Sequence, residues 1–286
     1  MTLSDDSPYS EEGTSRSVDW RGSVLHYHDV GEGEPIVFLH SWGIGTTAWI
    51  TWSKVLRTLA PRFRCLLLDL PNFTRSGPIF SEESRYDLQA SSATALMDAL
   101  GLERAHIVGN SQGAQSALLL ATRWPQRVDR LVVGAHHLGT TGGEYLLALG
   151  EEEGIRLGLR AEETPTPDTV RAYLECHLDD HSLVTDELIE YLLHAHVENP
   201  AIGVARESMQ YGEPHDLTGD LINLAIPTLV IWGRNDRVCH VEIGIRTMNL
   251  IPDSRLIVMK STGHWPPFER PAEYADHVGT FLQGSW

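Results

Sequence analysis

The stretch Ala105-His-Ile-Val-Gly-Asn-Ser-Gln-Gly-Ala-Gln-Ser-Ala-Leu-Leu-Leu120 contains a short run of strand character, a turn and the opening of a helix. Residues 105–108 lack the alternation of a half-exposed strand and read as one covered on both faces. Gly109-Asn110-Ser111-Gln112-Gly113 follows, and a helical pattern opens at Gln112. This is G-x-S-x-G between a strand and a helix, the context in which the motif holds a serine on a sharp, strained turn. The glycines leave room where side chains would not fit. The amides and dipole of the helix then face the serine oxygen and stabilise negative charge developing near it. Ser111 is the candidate nucleophile. A plain strand-to-helix turn is the competing reading, and the flanking elements disfavour it.

Working outward, residues 18–20 and 24–28 flank an Arg-Gly-Ser turn and read as a hairpin, so the sheet starts antiparallel. Apolar runs at 35–39, 65–70, 131–133, 228–232 and 255–259 join 105–108 as strands covered on both faces. Between them lie helical patterns at 48–59, 88–100, 112–123, 241–250 and 272–282. Strand and helix in alternation predict an α/β fold, a mostly parallel central sheet flanked by helices. From 137 to 217 the chain is acid-rich and helix-compatible, broken by Thr164-Pro-Thr-Pro167 and without a buried strand. It reads as a helical lid inserted over the sheet. The expected organisation is a disordered tail over 1–16, a core over 17–136 and 218–286, and the lid over 137–217.

With 286 residues, 42% of them apolar, the chain can bury one large core. Its first residues are acidic and polar, with no apolar segment after a basic start, and no run approaches the roughly 20 apolar residues that span a bilayer. A formal charge of −17 disfavours nucleic acid and anionic membranes as partners and slows an anionic substrate unless a local cation receives it. Three cysteines, Cys65, Cys176 and Cys239, are odd in number and widely spaced, which fits a reducing cytoplasm rather than a disulfide framework. The expected partner is a small-molecule substrate, and an apolar edge strand or helix would allow two copies to pair.

A serine hydroxyl needs a base within hydrogen-bond reach, and that base needs a third group to orient it. Gly233-Arg234-Asn235-Asp236-Arg237 follows the strand at 228–232, and Ser261-Thr262-Gly263-His264-Trp265 follows that at 255–259. Both loops leave the carboxyl ends of strands, where open α/β sheets place their sites. Asp236 as the orienting acid and His264 as the base complete the order Ser, Asp, His expected after G-x-S-x-G in a hydrolase of this architecture. Alone, Asp236 reads equally as a solvated turn residue and His264 as a core imidazole. The oxyanion of a tetrahedral intermediate needs backbone donors. The amide of Gln112 is one candidate, and Ser41, with Trp42 next, in the loop His40-Ser41-Trp42-Gly43-Ile44-Gly45 supplies the other.

These residues resemble those of the α/β-hydrolase fold, and most closely the enzymes of that fold that cleave carbon–carbon bonds in meta-cleavage products of aromatic degradation. The resemblance runs from the hairpin to the last helix. It includes Val108-Gly-Asn-Ser-Gln-Gly113, Asp69-Leu-Pro-Asn-Phe-Thr-Arg-Ser76, Asp180-His-Ser-Leu-Val-Thr-Asp-Glu-Leu188, Trp232-Gly-Arg-Asn-Asp-Arg237 and Gly263-His-Trp265. It implies a serine hydrolase of 2-hydroxy-6-oxo-dienoates, with Asn110 and Trp265 lining the substrate pocket. His40 and His136 are further candidates for polar lining. Three positions depart from the pattern: Ser41 where the family usually has glycine, Gly43-Ile44-Gly45 where Gly-Pro-Gly is common, and Leu192 where a lid arginine grips the dienoate carboxylate. Leucine cannot form that charge-assisted fork. His194, His196 or Arg206 could substitute, although on the lid they read first as facing solvent. A carboxylesterase or lactonase for a less charged substrate is the alternative, since an ester needs the same triad and no carboxylate clamp.

Fourteen histidines include the pairs His26/His28, His136/His137 and His194/His196. A metal site needs three or four converging ligands, and these pairs lack a third partner, so neither metal nor cofactor is expected. A ligand receptor that keeps the triad with little turnover, and an oxygenase-like enzyme using the same histidine as base without an acyl-enzyme, are the readings from other classes.

Overall fold

A computed structural model describes residues 9–136, 153–209 and 216–285. Eight strands form one sheet: β1 (Ser15–Trp20), β2 (Ser23–Val30), β3 (Glu34–Leu39), β4 (Phe63–Leu68), β5 (Ala105–Asn110), β6 (Val128–Gly134), β7 (Thr228–Gly233) and β8 (Ser254–Met259). Their spatial order is β1-β2-β4-β3-β5-β6-β7-β8. The pairs β1/β2 and β2/β4 are antiparallel and every other pair is parallel.

The apolar runs lack alternation because both faces of the sheet are covered. In β3, Val37 and Leu39 join one cluster with residues of the helices Arg85–Ala99 and Gln112–Arg123. Ile36 and Phe38 join the other, with residues of the helices Leu56–Leu59 and Pro271–Leu282. The edge strand β8 departs from the expectation. Only Met259 of its six residues is buried, because among the described residues no strand pairs with its far side.

The chain passes from β3 to β4 on one side and then to β5 on the other, so the strand order reverses at β3. Crevices at such switch points, beyond the carboxyl ends of the strands, are where open α/β sheets bind ligands. Ser41 and Ser111 leave the sheet at the ends of β3 and β5, on the two sides of that point.

Two local expectations are corrected. The tail over 1–16 is too long, since Glu11–Thr14 is a helical turn capped by Ser10 and β1 already includes Ser15 and Arg16. The anchors are polar, Thr14 Oγ1 to His28 Nδ1 at 3.0 Å and Ser15 Oγ to His26 Nε2 at 2.7 Å. The single helix expected over 48–59 is broken into Ala48–Trp52, a 3₁₀ turn Ser53–Val55 and Leu56–Leu59, and the break places the fully buried Trp52 against Phe38 and Tyr274.

Of the lid interval, the described residues form the helices Glu153–Glu163, Pro167–His177, Asp186–Val197 and Pro200–Ser208, with a 3₁₀ turn at His181–Leu183. His137 lies outside the described residues. Leu188, Ile189 and Leu192 of the lid pack in one cluster with Ile44, Ile50, Trp265 and Phe268 of the core. The loop after β3 leaves little room beneath these helices. A Cβ on Gly45 (φ +61°) would lie 1.8 Å from the carbonyl oxygen of Leu192, and one on Gly43 (φ +148°) 2.1 Å from the hydroxyl of Tyr173. Gly43-Ile44-Gly45 is therefore where the helices Pro167–His177 and Asp186–Val197 sit against the loop after β3. No described helix is long and apolar enough to cross a membrane.

Candidate active site

Ser111 stands between β5 and the helix Gln112–Arg123 with φ 54° and ψ −121°, a left-handed conformation in a non-glycine residue. Space explains the flanking glycines. A Cβ on Gly109 would come within 2.5 Å of the Gly113 carbonyl oxygen, and one on Gly113 within 2.1 Å of that of Leu39. The turn holds Ser111 Oγ 3.0 Å from His264 Nε2. His264 Nδ1 lies 2.9 Å from Asp236 Oδ2 and 3.0 Å from Oδ1. Asp236 Oδ1 also accepts from the amides of Val238 at 2.8 Å and Cys239 at 2.9 Å. The structure thus lines up hydroxyl, imidazole and carboxylate, with the last two buried. A carboxylate held by two amides cannot swing, and Nδ1–H pointing at it leaves the Nε2 lone pair for the serine proton.

At the first helical position, the Gln112 amide has no carbonyl four residues back to bond. Across the crevice, Ser41 is buried and Trp42 half-buried. Asn110 Nδ2 donates to Ser41 Oγ at 2.9 Å and to the His264 carbonyl at 3.4 Å. That amide ties the loop after β3 to the loop that carries His264. Trp265 is buried and stacked on Phe268, and its Nε1 has no partner among the described residues.

Two expected lining residues are elsewhere. His40 uses both ring nitrogens on the main chain: Nδ1 donates to Ser41 O at 2.7 Å and Nε2 accepts from Leu70 N at 2.9 Å. It braces the loop after β3, and burial lowers its pKa. His136 is wholly buried, edge-on to Trp232, with Nε2 3.0 Å from Thr247 Oγ1 in the helix Val241–Leu250. It fastens that helix to the sheet. Of the other histidine pairs, His26 bridges Ser15 and the buried Asp69, 2.7 Å from Oδ2. Asp69 is itself held near a pKa of about 2: burial opposes its ionisation, and the His26 hydrogen bond together with the histidines around it outweighs that. Among the described residues no three His, Cys, Asp or Glu side chains are placed to share a metal.

Two residues that the sequence reading passed over stand next to His264. His177, the last residue of a lid helix, sets its ring edge-on to that of His264 at 5.0 Å and accepts the His264 amide on its carbonyl at 2.7 Å. Burial, with His264 beside it, pushes its pKa well below the ordinary value, so it stays neutral and does not compete for the proton. Glu269 accepts from Gly263 N through Oε1 at 2.7 Å and from Asp179 N through Oε2 at 2.7 Å. It joins the histidine loop to the lid. Glu269→Gln places an NH₂ against one of these amides, so two donors face each other. The expected cost is about 1–3 kcal/mol, or roughly 2–4 °C of Tm per kcal/mol at this size. Thermal unfolding measures it, and an unchanged Tm would refute the clasp.

The sequence matches the alpha/beta hydrolase family over residues 36–277. It is 38% identical over 267 residues, 91% of each chain, to 2-hydroxy-6-oxononadienedioate/2-hydroxy-6-oxononatrienedioate hydrolase 2 of Pseudomonas putida. To the hydrolase named for the same two substrates in Paraburkholderia xenovorans (strain LB400) it is 34% identical, over 96% of this chain and 98% of that one. Among solved structures, a mutant of the meta-cleavage product hydrolase CumD, from Pseudomonas fluorescens IP01, superimposes with a TM-score of 0.82 at 29% identity, covering 95% of this chain and 98% of that one. A family match over residues 36–277, with relatives 34–38% identical over more than nine-tenths of the chain, means that the chain belongs to the alpha/beta hydrolase family.

Proposed function

We propose that the protein hydrolyses a carbon–carbon bond next to the ketone of a 2-hydroxy-6-oxo-dienoate, with Ser111 as nucleophile, His264 as base and Asp236 as the acid that orients it. The observation that carries the reading is the 3.0 Å approach of His264 Nε2 to Ser111 Oγ with Asp236 behind it, in a chain similar over nearly its whole length to hydrolases named for such substrates. His264 removes the hydroxyl proton as Oγ adds to the ketone carbon, and the oxyanion receives the Gln112 amide and an amide of Ser41 or Trp42. The bond to the neighbouring carbon then breaks. Its electron pair runs through the conjugated chain of the keto tautomer to the C2 oxygen, and a proton returns through His264. Delocalisation is required because an isolated carbanion is too basic to leave. Water, activated by the same imidazole, releases the acyl group from Ser111.

One observation favours an ester or lactone instead. Leu192, at the position where the resemblance implies an arginine for the carboxylate, is fully buried in one cluster with Ile44, Trp265 and Phe268 and offers no cation there. Turnover decides between the two. Offered a dienoate ketone, p-nitrophenyl esters of several chain lengths and simple lactones, the protein is expected to convert the ketone to equal amounts of hydroxydienoate and carboxylic acid, followed by mass spectrometry. Turnover of esters or lactones with the ketone left intact would move the assignment to the alternative.

A further inference from the structure

The helix Pro167–His177 ends against the candidate base. The last carbonyls of a helix have no intrahelical donor, and that of His177 takes the amide of His264 itself at 2.7 Å. The approach is close enough to dictate a residue type, since a Cβ on Gly263 would lie 2.3 Å from the His177 carbonyl oxygen. Residues on either side of His177 are tied to the other loops of the site. Tyr173, one turn back, donates from its hydroxyl to the Trp42 carbonyl in the loop after β3, at 3.4 Å. Asp179 accepts through Oδ1 from Asn235 Nδ2, next to Asp236 in the loop after β7, at 2.6 Å, and its amide meets Glu269. The segment Tyr173–Asp180 thus touches the loops after β3, β7 and β8, which carry Trp42, Asp236 and His264.

The two side-chain hydrogen bonds of His264 do not fix its ring completely. Nδ1 at Asp236 and Nε2 at Ser111 define an axis, and the plane can still tip about it. The ring of His177 stands edge-on to that plane, with centroids 5.0 Å apart and planes at 89°, and blocks the tilt on its side. His177 is itself held. Its Nδ1 donates to the Tyr173 carbonyl at 2.9 Å, and its ring packs on that of Tyr173 with centroids 3.8 Å apart. Being neutral, it sets no charge against the imidazolium that forms on His264 when the serine proton arrives.

We propose that His177 is a positioning residue for the base: the segment Tyr173–Asp180, anchored on the loops after β3 and β7, holds the His177 ring against His264, so that the imidazole is set between Ser111 and Asp236 only while this segment is docked. The proposal rests on Ser111, His264 and Asp236 acting as the triad, and not on which bond is cut.

The test is the second-order rate at which a fluorophosphonate labels Ser111, which reads the activated hydroxyl whatever the substrate. His177→Ala, with the ring removed, labels about tenfold more slowly, since a misplacement of 1 Å costs about 10²-fold and a tilt moves Nε2 by a fraction of that. His177→Phe restores a flat ring without nitrogens and brings the rate back to that of the wild type. Thr166→Ala removes the side chain that caps the other end of the same helix, so it lowers Tm and leaves the labelling rate unchanged. If the alanine variant does not fold, His177→Leu, which fills the volume without a flat ring, takes its place with the same expected loss. Labelling of His177→Ala at the wild-type rate overturns the proposal. So does a His177→Phe as slow as the alanine variant, because the nitrogens and not the packing would then matter. A Thr166→Ala equally slow overturns it too, because any loosening of the helix would suffice. A wild type that takes no label on Ser111 is a separate result, and it overturns the triad reading together with this proposal.

Discussion

Ser111→Ala is expected to lower kcat by about 10⁶, the loss seen when one member of a serine triad is removed. Among the described residues Ser111 Oγ has one neighbour in hydrogen-bond range, His264 Nε2, so the hydroxyl contributes little to holding the fold. Alanine inherits the same left-handed backbone and the same small space, so Tm should stay within a few degrees. The amide of Gln112 and the loop at Ser41 remain, and the residual rate should still exceed that in water by about 10³–10⁴. Single-turnover kinetics on the substrate the wild type prefers measures the loss. Labelling with a fluorophosphonate reports the same hydroxyl independently, giving a covalent adduct on Ser111 in the wild type and none in the variant. An alanine variant within tenfold of wild type would mean that His264 activates water directly and that no acyl-enzyme forms.

The elbow was legible because everything that shapes it is local. Gly109 and Gly113 are glycines for want of space within a few residues of Ser111, and the strand before and the helix after are both strong patterns. Asp236 and His264 were legible by another route, since the end of a strand in a parallel sheet is a fixed kind of place. Edge position was not legible. The apolar residues of β8 look like those of β3, and only the absence of a strand beyond β8 distinguishes them.

Histidines misled for a physical reason. His40 and His136 follow strand ends near the site, but a buried imidazole turns toward whatever polar partners the packing offers. Here those are Ser41 O with Leu70 N, and Thr247. The converse held for His177 and Glu269. Each lies in the lid or in the short helix after the histidine loop, and each meets its partner across the boundary between lid and core. Contacts of that kind depend on how two separately patterned units dock, and periodicity does not record docking. Gly43 and Gly45 carried a trace of it, as a loop with more glycine than a turn alone needs.

Asp236→Asn should cost about 10⁴ in kcat while leaving the fold in place, and the hydrogen bonds around the carboxylate say why. Oδ1 receives the amides of Val238 and Cys239, two donors that fix an acceptor at that position. An asparagine must therefore put its carbonyl oxygen there and its NH₂ where Oδ2 stood, 2.9 Å from His264 Nδ1. Nδ1 then faces a donor at the shorter distance, and the oxygen 3.0 Å away already accepts two amides, so the tautomer in which Nδ1 accepts is favoured and the imidazole proton moves to Nε2. That proton then points at Ser111 Oγ across 3.0 Å, where a lone pair is needed, and the base is blocked although no heavy atom has moved. Imidazole ¹⁵N shifts should report the exchange of tautomers, with an Nε2-protonated ring in the variant and an Nδ1-protonated ring in the wild type. Asp236→Ala provides the contrast, since it leaves the Val238 and Cys239 amides and His264 Nδ1 without an acceptor and should lower Tm as well as kcat. If Asp236→Asn instead kept its rate within tenfold, or showed the wild-type tautomer, the carboxylate would be anchoring the loop at Val238 and Cys239 rather than directing the imidazole.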